Sequence, residues 1–236
     1  MARRAIVAAN WKMNGDLALV DTMVSGLINI ELQDNVNVVI CPSSPYLSEL
    51  VLKAKAGNLS AAIQVGAQNV SEHVSGAFTG EISTQMLQEL SVKFAIIGHS
   101  ERRSYYQETS TQVAHKVNAL LKAGLTPILC IGESEAERAT EQTETVLASQ
   151  LQPVIDAIGI EKFIDVVIAY EPVWAIGTGK TASSEMAQET HQFIRQFLAQ
   201  ADENVADKVP LLYGGSVNAS KCEELFAQPD IDGGLI

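Results

Sequence analysis

Short apolar runs, several of them continuous, alternate with longer amphipathic segments along the chain. The apolar runs cover residues 5–9, 36–40, 63–67, 94–97, 127–131, 166–169, 210–213 and 234–236. An uninterrupted apolar run is typical of a parallel strand that is covered on both faces, because both sets of its side chains are then buried. The pattern therefore predicts eight parallel strands.

The segments between these runs have the periodicity of helices. Apolar residues recur three and four positions apart in four segments: 17–30, 111–123, 135–158 and 184–201. Gly124 stands where a helix stop is expected, and Pro153 predicts a bend or break in the long third segment. Strands that alternate with such helices predict an α/β fold with right-handed crossovers.

Eight strand–helix units indicate a closed (β/α)8 barrel, with an open doubly wound sheet as the alternative. The 236 residues are close to the length of about 250 that is typical of this barrel. No linker rich in Gly, Ser or Pro divides the chain, so we predict a single barrel domain over residues 1–236. The last unit is incomplete, since no helix follows the eighth run.

Composition and charge exclude several classes of protein. The hydrophobic fraction of 47% rules out a disordered chain. The 16 basic and 28 acidic residues give a net charge of −12, which argues against a nucleic-acid partner because such partners are bound by basic surfaces. No apolar run reaches the roughly 18 residues of a membrane span, so no membrane association is expected. The negative net charge does not exclude an anionic metabolite as a ligand, because salt screens the charge of a distant surface over about 8 Å.

The three cysteines, Cys41, Cys130 and Cys222, are odd in number and far apart. This spacing argues against a disulfide framework and for a reducing compartment. The apolar stretch after the basic N-terminus is too short for a signal peptide, so we expect a cytoplasmic protein. Neither the cysteines nor the histidines have metal-ligand spacing, and no metal site is predicted.

Polar residues follow several of the predicted strands, at the rim where a parallel barrel carries its chemistry. These residues are Asn10 and Lys12 after the first run, His99 after the fourth, Glu133 after the fifth, Glu171 after the sixth and Ser216 after the seventh. Lys12 has the alternative of a solvated loop lysine, His99 of a structural histidine, and Glu171 of a helix cap or surface carboxylate. Their shared position favours a catalytic histidine and a catalytic base.

Two glycine-rich segments invite a phosphate-binding interpretation. Residues 177–181 resemble the end of a P-loop, but Trp174 stands where that motif requires glycine, so we interpret the segment as a hinged loop over a site. Gly214, Gly215 and Ser216 precede a predicted helix that Asn218 would cap. Backbone N–H groups at a helix start bind phosphate, and the alternative is a simple turn.

Four motifs, in this order along the chain, resemble the signatures of the triosephosphate isomerase family. They are ANWKMN at 9–14, IGHSERR at 97–103, AYEPVWAIGTG at 169–179 and YGGSV at 213–217. The resemblance implies a TIM barrel that interconverts dihydroxyacetone phosphate and glyceraldehyde 3-phosphate without metal or organic cofactor. Two alternatives are another phosphosugar barrel enzyme, such as a decarboxylase or synthase, and a non-catalytic phosphate-binding barrel.

The resemblance also implies a role for individual residues. Glu171 matches the base that removes a carbon-bound proton, and His99 matches a neutral imidazole that polarises the carbonyl group and moves protons between oxygens. Lys12 and Asn10 match residues that hold the substrate and stabilise its developing negative charge. Gly177 and Ser216 match phosphate contacts, with 172–181 as a lid. Supporting roles fall to Ser100, Glu101, Glu133 and Trp174.

The long polar segment 68–81 predicts an inter-subunit loop, with a surface excursion as the alternative. The resemblance implies a homodimer in which this loop inserts beside the partner subunit's Lys12 and the partner subunit's His99, with Thr79 nearest. It also implies two phosphate-binding glycines and a final helix beyond the position of Ile236, which this sequence does not contain. If the protein ends there, we expect weak phosphate affinity and low stability.

Overall fold

Eight parallel strands close into a barrel in chain order in the computed structural model, which describes residues 3–176, 182–217 and 222–236. The strands are β1 Ala5–Asn10, β2 Val36–Cys41, β3 Ile63–Ala67, β4 Phe94–Ile97, β5 Thr126–Ile131, β6 Val167–Tyr170, β7 Leu211–Tyr213 and β8 Gly233–Leu235. Closure comes from parallel pairing of β1 with β8, in which Ile6 lies opposite Gly233. The barrel is thus confirmed and the open sheet is excluded.

Helices surround the barrel between the strands. They are α1 Leu17–Leu27, α2 Leu47–Ala56, α3 Thr84–Glu89, α4 Ser100–Tyr106, α5 Ser110–Lys122, α6 Glu135–Ala139, α7 Thr143–Ile158, α8 Ser184–Ala199, α9 Glu203–Ala206 and α10 Cys222–Phe226. Gly124, just after α5, has a φ of +67°, as the predicted helix stop requires. No helix in these described ranges is long and apolar enough to cross a membrane.

The break predicted at Pro153 lies elsewhere in the structure. Segment 135–158 divides at 140–142, where Glu141 has a φ of +57°, and Pro153 lies inside α7 without ending it. Proline removes one backbone hydrogen bond, but the helix is held by its burial against the rest of the fold. The buried residues of α7 are Leu147, Leu151, Val154 and Ile158.

Alternate residues of each strand face two different apolar layers, which explains the continuous apolar runs. In β4, Phe94 and Ile96 belong to the cluster that fills the barrel interior, whereas Ala95 and Ile97 belong to the cluster shared with the surrounding helices. The interior is therefore a packed core, and polar chemistry is confined to the strand ends.

Gly233 is required where β8 meets β1. Its φ is +137°, and a Cβ atom placed on it would lie 2.0 Å from the backbone oxygen of Ile6. A side chain at this position would push β8 away from β1 at the closing seam. Arg195 of α8 supports the segment that enters β8, through hydrogen bonds to Asp230 at 2.6 Å and Asp232 at 3.1 Å.

Gly233→Ala is expected to destabilise the fold, because the new methyl group clashes with backbone atoms and the left-handed φ disfavours alanine. The free energy of unfolding should fall by about 2 kcal/mol or more. Urea unfolding followed by circular dichroism measures this change.

Gly26→Ala is the matched control, since Gly26 lies in α1 and a Cβ atom there would meet nothing within 4 Å. Alanine should raise the free energy of unfolding by about 0.5–1 kcal/mol through helix propensity. Two variants of equal stability would contradict the importance assigned to the closing seam.

Candidate active site

Lys12 follows β1 in a constrained backbone conformation with a φ of +52°. Its backbone oxygen accepts hydrogen bonds from Ser43 Oγ at 2.7 Å and from Gln68 Nε2 at 2.9 Å. Its backbone N–H donates to Asn10 Oδ1 at 3.0 Å. Residues from the ends of three strands thus hold Lys12 in a strained conformation, a feature that clusters at functional sites.

The ammonium group of Lys12 pairs with the carboxylate of Glu101, with Nζ 2.8 Å from Oε1. Both side chains are more than a third exposed, at 36% and 38%, so solvent weakens the pair. The ammonium group therefore remains available to an anionic ligand at the rim.

His99 lies between β4 and α4, and both of its ring nitrogens have polar neighbours. Nδ1 accepts a hydrogen bond from the backbone N–H of Glu101 at 3.2 Å. An amide N–H can only donate, so Nδ1 carries no proton and the neutral ring has its proton on Nε2. Nε2 lies 2.9 Å from Glu171 Oε1, to which it donates.

Glu171 follows β6 and is 1% exposed. Its carboxylate accepts from the Ser100 backbone N–H at 2.9 Å and from Ser100 Oγ at 3.1 Å, in addition to His99 Nε2. A buried carboxylate is tolerable only when donors compensate its lost hydration, and three donors do so here.

Cys130 lies beneath this carboxylate inside the barrel. Burial raises the pKa of the Cys130 thiol well above its usual value, and the negative charge of Glu171 raises it further. The thiol is therefore neutral and adds no competing charge. Arg103 donates to the backbone oxygens of Cys130 at 3.1 Å and Gly98 at 2.8 Å, which joins the ends of β4 and β5.

Glu133 is fully buried and connects β5 to the segment that follows Glu171. Its Oε1 accepts from Tyr170 Oη at 3.0 Å, Trp174 Nε1 at 2.9 Å and Arg138 Nη1 at 3.0 Å. Burial, followed by the charge of Glu133, raises the pKa of Tyr170, so its hydroxyl remains a donor. Trp174 lies in a short 3-10 helix, Val173–Ala175, that leads into the predicted lid.

Ser216, which follows β7, contacts the short 3-10 helix that leads into the predicted lid. Its Oγ donates to the backbone oxygen of Ala175 at 3.0 Å. Gly214 is required by close approach, since a Cβ atom there would lie 2.9 Å from Glu171 Cγ. Gly177 and Asn218 lie outside the described residues.

The predicted site residues that the structure describes lie at one rim of the barrel, at or after the carboxyl ends of the strands. Asn10, Lys12, His99 and Glu101 line a cavity of about 370 Å³. Glu171 reaches this group through its contact with His99, while it also lines a neighbouring cavity of about 190 Å³. A line of contacts therefore runs from Lys12 through Glu101 and His99 to Glu171.

Sequence reasoning misses Ser43 and Gln68, which hold the backbone of Lys12. Ser43 follows β2 and Gln68 follows β3, so both obey the same rule that picks out Lys12, His99 and Glu171. Their side chains are uncharged and belong to no motif with evident chemistry, so the sequence carries no signal that marks them.

Comparison with known proteins gives a consistent result. The family model described as Triosephosphate isomerase matches residues 5–236. The chain is 78% identical to the triosephosphate isomerase of Colwellia psychrerythraea over 236 residues, which are 100% of this chain and 92% of that protein. It is 52% identical to that of Actinobacillus pleuropneumoniae, over 100% of this chain and 91% of that protein. The chain belongs to the triosephosphate isomerase family.

Proposed function

We propose that the protein interconverts dihydroxyacetone phosphate and glyceraldehyde 3-phosphate through an enediol or enediolate, as a step of glycolysis and gluconeogenesis. The observation that carries this proposal is the 2.9 Å contact between His99 Nε2 and Glu171 Oε1. It brings a buried carboxylate and an imidazole together at the rim that also holds the ammonium group of Lys12.

Glu171 is the proposed base that removes the proton from the carbon next to the carbonyl group. The electron pair of the broken C–H bond forms the C=C bond of the enediolate, and the carbonyl π pair moves onto oxygen. Glu171 then returns the proton to the neighbouring carbon. We expect its carboxylate to exchange its hydrogen bonds with Ser100 for the substrate when this binds. A positioned base contributes about 100- to 10,000-fold to the rate.

His99 and Lys12 are the proposed stabilisers of the oxygen that becomes negative. A carbon-bound proton is too weakly acidic for a carboxylate unless that charge is stabilised by preorganised donors, each of which contributes about 100- to 1000-fold. The Nε2–H of a neutral imidazole donates to the carbonyl oxygen and moves protons between the two oxygens. Asn10 and the ammonium group of Lys12 hold the substrate at the same rim.

The phosphate group of the substrate is assigned to Ser216 and Gly177, with 172–181 as a lid that excludes water. Support comes from the contacts at the start of this segment, where Glu133 holds Trp174 and Ser216 Oγ donates to Ala175. Both contacts would change when the lid closes over a phosphate.

We further propose a homodimer through the loop 68–81. Val74 and Phe78 on this loop are large apolar residues that remain exposed, as are Met13 and Tyr106 beside the cavity that Lys12 lines. Exposed apolar residues gathered in this way mark interaction surfaces. Thr79 near the loop tip is expected to lie closest to the partner subunit's Lys12.

A cytoplasmic location is also part of the proposal. Cys41 and Cys130 are free, buried thiols, and burial raises the pKa of Cys41 to about 12, so its thiol is protonated. Free thiols are typical of reducing compartments. The net charge of −12 disfavours nucleic-acid binding.

Glu171→Asp should lower kcat by about 100-fold or more, because a base displaced by about 1 Å loses that much. Binding of a phosphate-bearing substrate analogue should change little, because that group is held elsewhere. A steady-state isomerase assay and a calorimetric titration measure the two effects. Glu203→Asp, on the exposed surface of α9, is the control. Equal turnover in Glu171→Asp and wild type would refute the role of Glu171.

Val74→Asp should dissociate the dimer, because it places a charge in the proposed apolar interface. Leu52→Asp is a matched control, since Leu52 and Val74 are both 62% exposed and only Val74 belongs to the loop. Sedimentation velocity should find a dimer for wild type and Leu52→Asp and a monomer for Val74→Asp. A fully active wild-type monomer would contradict the proposed interface.

A further inference from the structure

Gln150 reaches from α7 to the end of β5 with both atoms of its amide group. Its Oε1 accepts from the backbone N–H of Gly132 at 2.9 Å, and its Nε2 donates to the backbone oxygen of Gly132 at 2.9 Å. The orientation of the amide is fixed, because a backbone N–H can only donate and a carbonyl oxygen can only accept. One side chain therefore satisfies both backbone polar groups of Gly132.

Gly132 lies directly against the backbone of Glu171. A Cβ atom on Gly132 would be 1.8 Å from the backbone oxygen of Glu171. The residues on either side of Gly132 continue the ladder between β5 and β6: Ile131 O accepts from Glu171 N at 2.8 Å, and Glu133 O accepts from Val173 N at 3.2 Å. The position of Gly132 therefore sets the position of the peptide that carries Glu171.

Packing alone does not fix Gly132 on the side of β5 that faces Gln150. A cavity of about 190 Å³ is lined by Gly132, Gln150, Ser100 and Glu171 together. Glycine has no side chain to anchor it and is the most flexible residue in the backbone. Without the amide of Gln150, the two backbone groups of Gly132 would lose their partners, and the cavity leaves room for the strand end to move.

The stability of α7 does not depend on this amide. The helix is held by its buried apolar stripe, to which Leu147, Leu151 and Val154 belong. Gln150 lies beside this stripe and is only partly buried. The hydrogen-bonding capacity of Gln150 thus serves Gly132 and not the packing of its own helix.

We propose that Gln150 is a positioning residue for the base of the reaction: by holding Gly132 through two hydrogen bonds, it fixes the backbone of Glu171 at the depth that proton abstraction requires. The inference rests on the proposed function, because it assigns Gln150 a kinetic effect that acts through Glu171. The immobilisation of Gly132 by Gln150 can be measured separately, without an assay of enzyme activity.

Gln150→Leu is the first test, because leucine keeps apolar volume and removes both hydrogen bonds. The kcat should fall by about 10- to 100-fold, since a displacement of the base by a fraction of an ångström acts on proton transfer. The KM should stay within about twofold, because ground-state binding is unchanged. The primary isotope effect, with substrate deuterated at the carbon that loses its proton, should increase. Backbone amide exchange at Gly132 should become at least about tenfold faster, as expected for a lost hydrogen bond.

Gln152→Leu is the matched control. Gln152 is an exposed glutamine of the same helix whose amide donates to the side chain of Asp156 at 2.7 Å. Its kcat, KM and Gly132 amide exchange should equal those of wild type. A kcat for Gln150→Leu within twofold of wild type, or an equal loss in both variants, would overturn the inference.

Gln150→Glu keeps the size of the side chain and decides the question if Gln150→Leu does not fold. The ionised carboxylate accepts from the Gly132 N–H but repels the Gly132 oxygen, whereas the protonated carboxyl group can donate to it. Glutamate has an ordinary pKa of about 4.3, and partial burial beside a carbonyl oxygen raises it, so the ratio of variant to wild-type kcat should rise as the pH falls from about 7 to about 4. A ratio that does not change with pH would contradict the proposal. The wild-type protein could also prove inactive while its Gly132 amide exchanges slowly and Gln150→Leu accelerates that exchange. This result would refute the proposed function and support the contact between Gln150 and Gly132.

Discussion

The buried carboxylate of Glu171 is the group around which the rest of this rim is organised. A charge at 1% exposure is costly unless donors replace its hydration. Ser100 and His99 supply those donors from the end of β4, and in doing so they bring the imidazole into contact with the carboxylate. The need to stabilise one buried charge thus also aligns the two groups to which we assign the proton transfers.

Closure of the barrel is the second condition for bringing Lys12 and Glu171 to the same rim. Lys12 and Glu171 lie far apart in the sequence, and only the pairing of β1 with β8 joins the first and last strands into one ring. The seam needs a residue without a side chain at Gly233, and Arg195 ties the segment that enters β8 to Asp230 and Asp232. A local failure at this seam would therefore separate Lys12 from Glu171.

Much of this architecture can be predicted from the sequence, and the exceptions have physical reasons. The sequence predicts each strand to within one residue, because most residues on both faces of the strands are apolar. The sequence predicts a helix break at Pro153 that the structure does not have, because tertiary burial of Leu147 and Leu151 outweighs the disruptive effect of the proline. The partners of Lys12 and Gly132, which are Ser43, Gln68 and Gln150, depend on distances between elements that no local pattern records.

Lys12, His99 and Glu171 are proposed to act together on one small molecule. A crystal structure with a phosphate-bearing analogue of the enediolate would show whether they do. We expect Glu171 to leave Ser100 and to place a carboxylate oxygen about 3 Å from the carbon positions of the analogue, with His99 Nε2 and Lys12 Nζ on its oxygens. An analogue bound away from this rim, or with the Glu171 carboxylate still bonded to Ser100, would contradict this proposal.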